Sequence, residues 1–467
     1  MVGEFLDRYF LLTERQTTVG TEFRAGTASF LTLSYLLLVN PQIMAQAGVP
    51  HDVAVFSTAC SAATACFIVG ILGNLPFGCA PGLGLSAYLT FGLVQAGLCS
   101  LSDALTACWW SGIIVLLVTI TGFSAFLMRI VPQAIKYAIV VGMGMLISMI
   151  GLVSVKFIIA NDSTLVQLGN VWGDPELLVC MAGILLVGSL LYHDIKGGIL
   201  IGIAALTCIV WTMREAWPQE IFQVPSLPSI AYWDPLVVFD FEKATVLYPA
   251  VGAFVLICVF DISGVMFGLA TLGGIIKENG DIPGSQWAFV ASSIGTIVAA
   301  FTGSTPIIVC VECASGVREG GRTGLTAVVV GLYFTASIFL APLFGSVPDV
   351  ATAPVLVLVG VLMMGEAAKI SWENMNEALP AFLTIILMPL TYSITNGMIF
   401  GLLFAAAFYV TSGQLFADTR SACSSSSSTG SRPYSDGYEE VSHAEILPLN
   451  SAANGSTNKP YSEATIF

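Results

Sequence analysis

Two acids stand where acids are costly. Asp261 lies about twelve residues from either end of a long apolar run, and Glu312 lies in the middle of a short one. A charged side chain at the centre of a bilayer costs about 2.5–3.5 kcal/mol on insertion scales. Two such costs point to a use: hydrogen bonding to a ligand, proton transfer, or both. The plainer reading, a helix–helix hydrogen bond that locks a bundle, stays open for each. Other chemistry-bearing residues carry less. Cys310-Val-Glu-Cys313 matches C-x-x-C, but no second ligand pair and no thioredoxin-like pattern accompanies it, so neither metal nor redox chemistry is expected. His51, His193 and His443 fall at expected loops or in the tail. No nucleophile–base pair or metal-ligand cluster occurs in the apolar runs. An enzyme is the least favoured class, and no cofactor is called for.

The elements that position these acids follow from composition. The 467 residues are 56% hydrophobic and 10% charged, with a mean hydropathy of +0.85, against about 25% charge in soluble domains. Long runs without charge, such as 30–46, 104–128 and 323–348, suit a bilayer. The net charge of −14 sits largely in loops and the tail, and no basic stripe suits nucleic acid. The eleven cysteines lie mostly in apolar stretches and read as small packing residues. The first twenty residues are polar and of mixed charge, so the first span is expected to serve as its own insertion signal.

Hydropathy predicts fourteen spans, near 24–45, 52–73, 80–97, 104–127, 133–153, 176–193, 196–213, 247–273, 285–302, 306–318, 323–342, 352–365, 378–394 and 396–411. With both ends in the cytoplasm, thirteen of the sixteen Lys and Arg fall inside and only Lys156, Arg214 and Lys243 fall outside. The expected organisation is a cytoplasmic segment 1–23, seven spans in 24–213, an outer connection 214–244, seven spans in 245–411 and a disordered cytoplasmic tail 412–467. An odd number in each half makes any repeat an inverted one. In the tail, the serines and Tyr438-Glu-Glu-Val441 are candidate modification or sorting signals, and a plain solvated tail is the simpler reading. Asn161-Asp-Ser163 is a glycosylation candidate on the outer side, whereas Asn454-Gly-Ser456 faces the cytoplasm.

The third span of each half is broken. One contains Ala80-Pro81-Gly82-Leu-Gly84-Leu-Ser86, and the other opens with Thr302-Gly303-Ser304-Thr305-Pro306. Paired broken spans at matching positions of two halves are the best sequence pointer to a transporter's binding site. Exposed N–H groups at these breaks suit ring acceptors and an exocyclic oxygen, while carboxylates accept from ring N–H donors. A planar purine base offers both kinds of edge. An apolar setting moves carboxyl titration toward neutral pH in general, which gives proton symport a physical basis.

Several blocks together resemble the AzgA-like hypoxanthine, adenine and guanine permeases, a branch of the nucleobase–ascorbate (xanthine/uracil) permease superfamily. They are Phe30 to Gln42 with Asn40-Pro41; Ala80 to Leu85; Asp261-Ile-Ser-Gly264; Glu312-Cys-Ala-Ser-Gly316 with Gly320 to Thr326; and Ala381 to Ile386 with Met388 to Ser393. The resemblance runs from about Thr21 to Tyr409. It implies an all-α polytopic membrane protein with about fourteen transmembrane helices, in a seven-plus-seven inverted repeat with core and gate domains. It also implies a homodimer, proton coupling and an elevator-like cycle. Glu312 is similar to the family's purine-contacting glutamate of the tenth span, and Asp261 to the aspartate before the eighth-span glycine. Ser86 stands where many members have Asn, and Cys258 where many have a second acid.

The expectation is therefore a purine carrier in the plasma membrane with both termini cytoplasmic. Glu312 is its principal ligand, and Asp261 a second ligand; both are assigned to proton coupling. Ser86, Pro81, Gly82, Ser304 and Thr305 complete the site, with Tyr88 or Phe260 as candidates to sandwich the base. A carrier of pyrimidines or small anions on the same scaffold, and a purine receptor without net transport, remain as alternatives.

Overall fold

Apolar runs become helices because a bilayer offers no partner for backbone N–H and C=O groups. The computed structural model describes residues 2–121 and 132–411, except for 162, 194, 196, 216, 219–221, 223–237, 239 and 278–280. The Ser-rich tail, His443, the second sequon and most of the 214–244 connection lie outside the described residues. The helices are α1 (Val2–Phe10), α2 (Val19–Leu33), α3 (Leu36–Gln46), α4 (His51–Ile71), α5 (Leu83–Ala87, continued as a π-helix over Tyr88–Gln95), α6 (Leu101–Ile120), α7 (Gln133–Ser154), α8 (Pro175–Tyr192) and α9 (Gly198–Arg214). Then follow α10 (Phe241–Gly273), α11 (Ser285–Thr302), α12 (Ala314–Arg318), α13 (Gly324–Ser337), α14 (Ala341–Gly345), α15 (Asp349–Met364), α16 (Met375–Thr391) and α17 (Ile394–Thr411). Among the described residues, ten helical stretches are long and apolar enough to cross a membrane, and three further apolar helices are shorter.

The chain is not purely helical. Strand β1 (Cys79–Pro81) pairs antiparallel with β4 (Ile307–Val309), and β2 (Ile158–Asn161) pairs with β3 (Leu165–Leu168). The span expected at 306–318 is thus no single helix. It is β4, a 3-10 turn over Val311–Cys313 and α12. Pro81 and Pro306 have no N–H to continue a helix, and extended backbone can bond across instead. The first span also divides. Pro41 withholds the N–H that the Leu37 carbonyl would accept, and the turn before it tightens, with Leu37 N–H donating to Ser34 O and Leu38 N–H to Tyr35 O.

Two packing groups result. In one, α4 lies against α3, α11 and α13, while α6 lies against α10 and α11, and α2 packs on α12 and α13. In the other, α7 packs on α15 and α16, α8 on α9 and α15, and α16 on α17. Ser100 and Asp103 form a capping box at the start of α6, and Lys243 Nζ donates to both Asp103 oxygens at 3.0 Å, pinning α10 to α6. Between the groups, Gln42 of α3 donates to Val347 O (3.2 Å) and accepts from Thr352 of α15 (2.6 Å).

Candidate functional site

The site is built on the crossing of β1 and β4. Their register pairs Cys79 with Val309, Ala80 with Ile308 and Pro81 with Ile307. Two three-residue strands cannot satisfy their own outer edges, so neighbouring helices supply partners. Ile307 N–H donates to Thr296 Oγ1 at 2.9 Å, and Ser292 Oγ donates to Ile307 O. Gly78 N–H donates to Cys313 Sγ (3.0 Å) and Cys79 N–H to Cys66 Sγ (3.2 Å). Both cysteines are buried and free. Cys313 therefore serves the strand crossing. Among the described residues, no group of three metal-ligating side chains occurs.

Just beyond the crossing, Asn40, Thr58, Ser86, Ser304 and Thr305 form one fully buried polar cluster. Asn40 Nδ2 donates to Thr58 Oγ1 (2.8 Å) and Ser304 Oγ (3.1 Å), while Ser86 Oγ donates to Asn40 Oδ1 (2.5 Å) and lies 2.7 Å from Thr305 Oγ1. The structure thus brings Ser86, Ser304 and Thr305 together, as expected of residues at one site. It spends their hydroxyls on one another and on Asn40, however, so in this conformation they join the two broken segments and present no free group. Pro81 and Gly82 are also buried, and the Gly82 N–H, expected to be open, donates to Pro306 O at 3.2 Å. Asn40 carried a signal in sequence, as an amide inside an apolar span, but nothing local named its partners.

Glu312 lies in the 3-10 turn between β4 and α12 and is partly exposed, beside Val311, which is 58% exposed. Its turn is clamped by α2. Thr32 Oγ1 and Ser315 Oγ donate to the Glu312 carbonyl at 3.0 and 2.9 Å, and Tyr35 OH donates to Glu312 Oε1 at 2.7 Å. The clamp leaves no room at Gly316, where an added Cβ would fall on Ser29 Oγ and the Ala25 carbonyl. Gly316→Ala is expected to cost about 1–3 kcal/mol by overpacking. A lower melting temperature of detergent-purified protein would register this, and an unchanged one would contradict the clamp.

Asp261 lies on α10, which packs beside β4, the 3-10 turn and α12. It is partly buried, and among the described residues its carboxylate has no hydrogen-bond or ion-pair partner. Gly264 and Gly268 follow it on the same face at helical spacing, and nothing lies within 4 Å of a Cβ placed on either. Cys258, one turn earlier, is buried. No hydrogen bond joins Asp261 to Glu312. A cavity between α3, α7 and α15, lined by Gln42, Ser154, Asp349 and Thr352, holds neither acid. It lies at the contact of the two packing groups. Of the aromatic candidates, Tyr88 is buried edge-on against Phe254, with ring centroids 5.3 Å apart. The Phe260 ring lies under Lys136 Nζ at 5.5 Å. Asn161 accepts from the Ser163 and Thr164 N–H groups and donates to Gln167, at the tip of the β2–β3 hairpin.

A permease-family model matches residues 20–400. The chain is 36% identical over 398 residues to the guanine/hypoxanthine permease PbuO of Bacillus subtilis, covering 84% of this chain and 92% of that protein. It is 35% identical over 413 residues to the adenine permease AdeP of Escherichia coli, covering 88% and 92% respectively. In fold it is similar to the transmembrane domain of a cyanobacterium bicarbonate transporter, BicA, with a TM-score of 0.60 and 16% identity over 79% of this chain and 96% of that one. It is similar also to SLC26A9, with a TM-score of 0.60 and 12% identity, covering 87% and 66%.

Proposed function

Because the chain belongs to the permease family and is an integral membrane transporter rather than an enzyme, we propose that it carries purine nucleobases across the bilayer, with Glu312 as principal ligand. The names of the relatives at 33–36% identity, guanine/hypoxanthine and adenine permeases, support the substrate class. The observation that carries the reading is Glu312 itself: an acid in an apolar run, held at the crossing of two broken segments and partly open. A carboxylate there accepts from the N–H edge of a planar base. Asp261, without a partner among the described residues and on a face that stays open past Gly264 and Gly268, is the second ligand and the proton acceptor. Ser86, Ser304, Thr305, Pro81 and Gly82 serve the site by holding the crossing rigid.

On this reading the ten long helices, three short ones and the broken 306–318 segment make fourteen spans. They form two inverted halves, 24–213 and 245–411, joined by the outer connection 214–244. The packing group that contains the crossing is the core, and the other is the gate. Both termini, including 1–23 and the tail 412–467, are cytoplasmic in a plasma-membrane homodimer, and Asn161 lies outside as a glycosylation acceptor.

The test is uptake of labelled hypoxanthine, adenine, guanine and uracil at two external pH values in cells lacking their own purine uptake. Accumulation of purines over uracil, faster at the lower pH, is expected. Asp261→Asn is expected to make the residual rate insensitive to external pH. Binding without accumulation would make the protein a receptor. An unaltered pH response in the Asp261 variant would remove that residue from coupling.

A further inference from the structure

We infer that Tyr35 is a positioning residue for transport, holding one oxygen of Glu312 so that the other alone is presented to the base. The inference rests on the reading of Glu312 as the purine ligand. Tyr35 sits at the junction of α2 and α3, where the helix tightens ahead of Pro41, and its side chain is 1% exposed. A buried tyrosine hydroxyl needs a partner. Among the described residues it has one, Glu312 Oε1 at 2.7 Å.

The same stretch of chain also fixes the backbone of the acid. Thr32, one turn before Tyr35, donates to the Glu312 carbonyl, and Ser315 Oγ donates to that carbonyl at 2.9 Å and lies 3.3 Å from Ala28 O in α2. The main chain and one carboxylate oxygen of Glu312 are therefore both anchored to the α2–α3 junction. No hydrogen bond from another described residue reaches Oε2. A carboxylate on a free glutamate stem samples many rotamers, and binding must then order it. Tyr35 orders it in advance and leaves one oxygen for a ring N–H.

This role differs from packing in what it predicts. Tyr35→Phe keeps the ring and removes only the hydroxyl. The KM for hypoxanthine is expected to rise about tenfold, the scale of one charge-assisted hydrogen bond, while maximal uptake per surface copy stays within about twofold. In the Glu312→Gln background, the same change is expected to raise KM no further, because Tyr35 acts through the carboxylate. An unchanged KM in the single variant, a fall in maximal rate alone, or additive losses in the double variant would each overturn the inference. If Glu312→Gln by itself leaves KM unaltered, the ligand reading fails, and Tyr35 falls with it. Should Tyr35→Phe reach the surface poorly, the comparison moves to protein purified in detergent. There, hypoxanthine-dependent thermal stabilisation reads affinity, and a shift equal to wild type overturns the proposal.

Discussion

Glu312→Gln is expected to raise the KM for purine uptake between about tenfold and about 150-fold at normal surface abundance. The replaced group is isosteric, and the Thr32 and Ser315 bonds go to the backbone carbonyl, which the substitution leaves in place. An amide keeps a single acceptor oxygen, so it cannot accept from both Tyr35 and the base. What is lost is the charge, and with it the strong form of the hydrogen bond to a ring N–H. Hydrogen bonds to charged groups contribute about 1.5–3 kcal/mol, which converts to the stated range at about 1.4 kcal/mol per tenfold. Uptake kinetics together with surface biotinylation make the measurement. A variant with wild-type kinetics would take Glu312 out of the binding site. A variant absent from the surface would instead mark the residue as part of the fold.

Glu22→Ala is expected to destabilise the protein by about 3–5 kcal/mol, the scale for removing one member of a buried charged set. Glu22 is fully buried in α2. Its carboxylate accepts from the backbone N–H groups of Arg322 (2.9 Å), Thr323 (3.3 Å) and Thr326 (3.2 Å), and from Thr326 Oγ1 (2.6 Å). Those donors are the start of α13, where the helix leaves its first N–H groups without internal partners and favours negative charge. Nearby, Gly324 N–H donates to Asn74 Oδ1, and Arg15 donates to the carbonyls of Asn74 and Arg322. The first turns of α2 and α13 and the end of α4 are thus tied at one point. Truncation at Glu22 leaves the α13 donors buried and unpaired. Thermal unfolding of purified protein should show a large fall in melting temperature, with Glu22→Gln falling less because one oxygen remains. A wild-type melting curve for the alanine variant would mean the cap contributes nothing. Because Glu22 lies away from the crossing, hypoxanthine affinity in the surviving folded fraction is expected to match wild type.

These two acids show how differently sequence and structure reveal function. Glu312 announces itself, because a charge inside an apolar run is costly wherever the chain folds, and that cost is visible locally. Asp261 is legible for the same reason. Glu22 is not: it lies just before the first expected span, among charges and polar residues, and reads as ordinary loop. Its burial depends on α13, which arrives three hundred residues later in the chain. Tyr35 and Asn40 were present in a recognisable block, yet a tyrosine and an asparagine in an apolar span have many possible uses. Only the partner decides which one applies.

Composition, run lengths and Gly/Pro breaks determined by themselves that this chain is a membrane protein of many helices with two interrupted segments and two isolated acids. These features follow from the local cost of placing charge or unpaired backbone in a bilayer. The tertiary structure alone decided that the interrupted segments meet as an antiparallel strand pair, with Cys79 opposite Val309. It alone decided that Ser86 bonds to Thr305 and that Ser86 and Ser304 both bond to Asn40, and that Tyr35 reaches Glu312 across 277 residues of sequence. A hydrogen bond is satisfied by any donor of suitable geometry, so residue type names the need for a partner, and only the packed chain selects it.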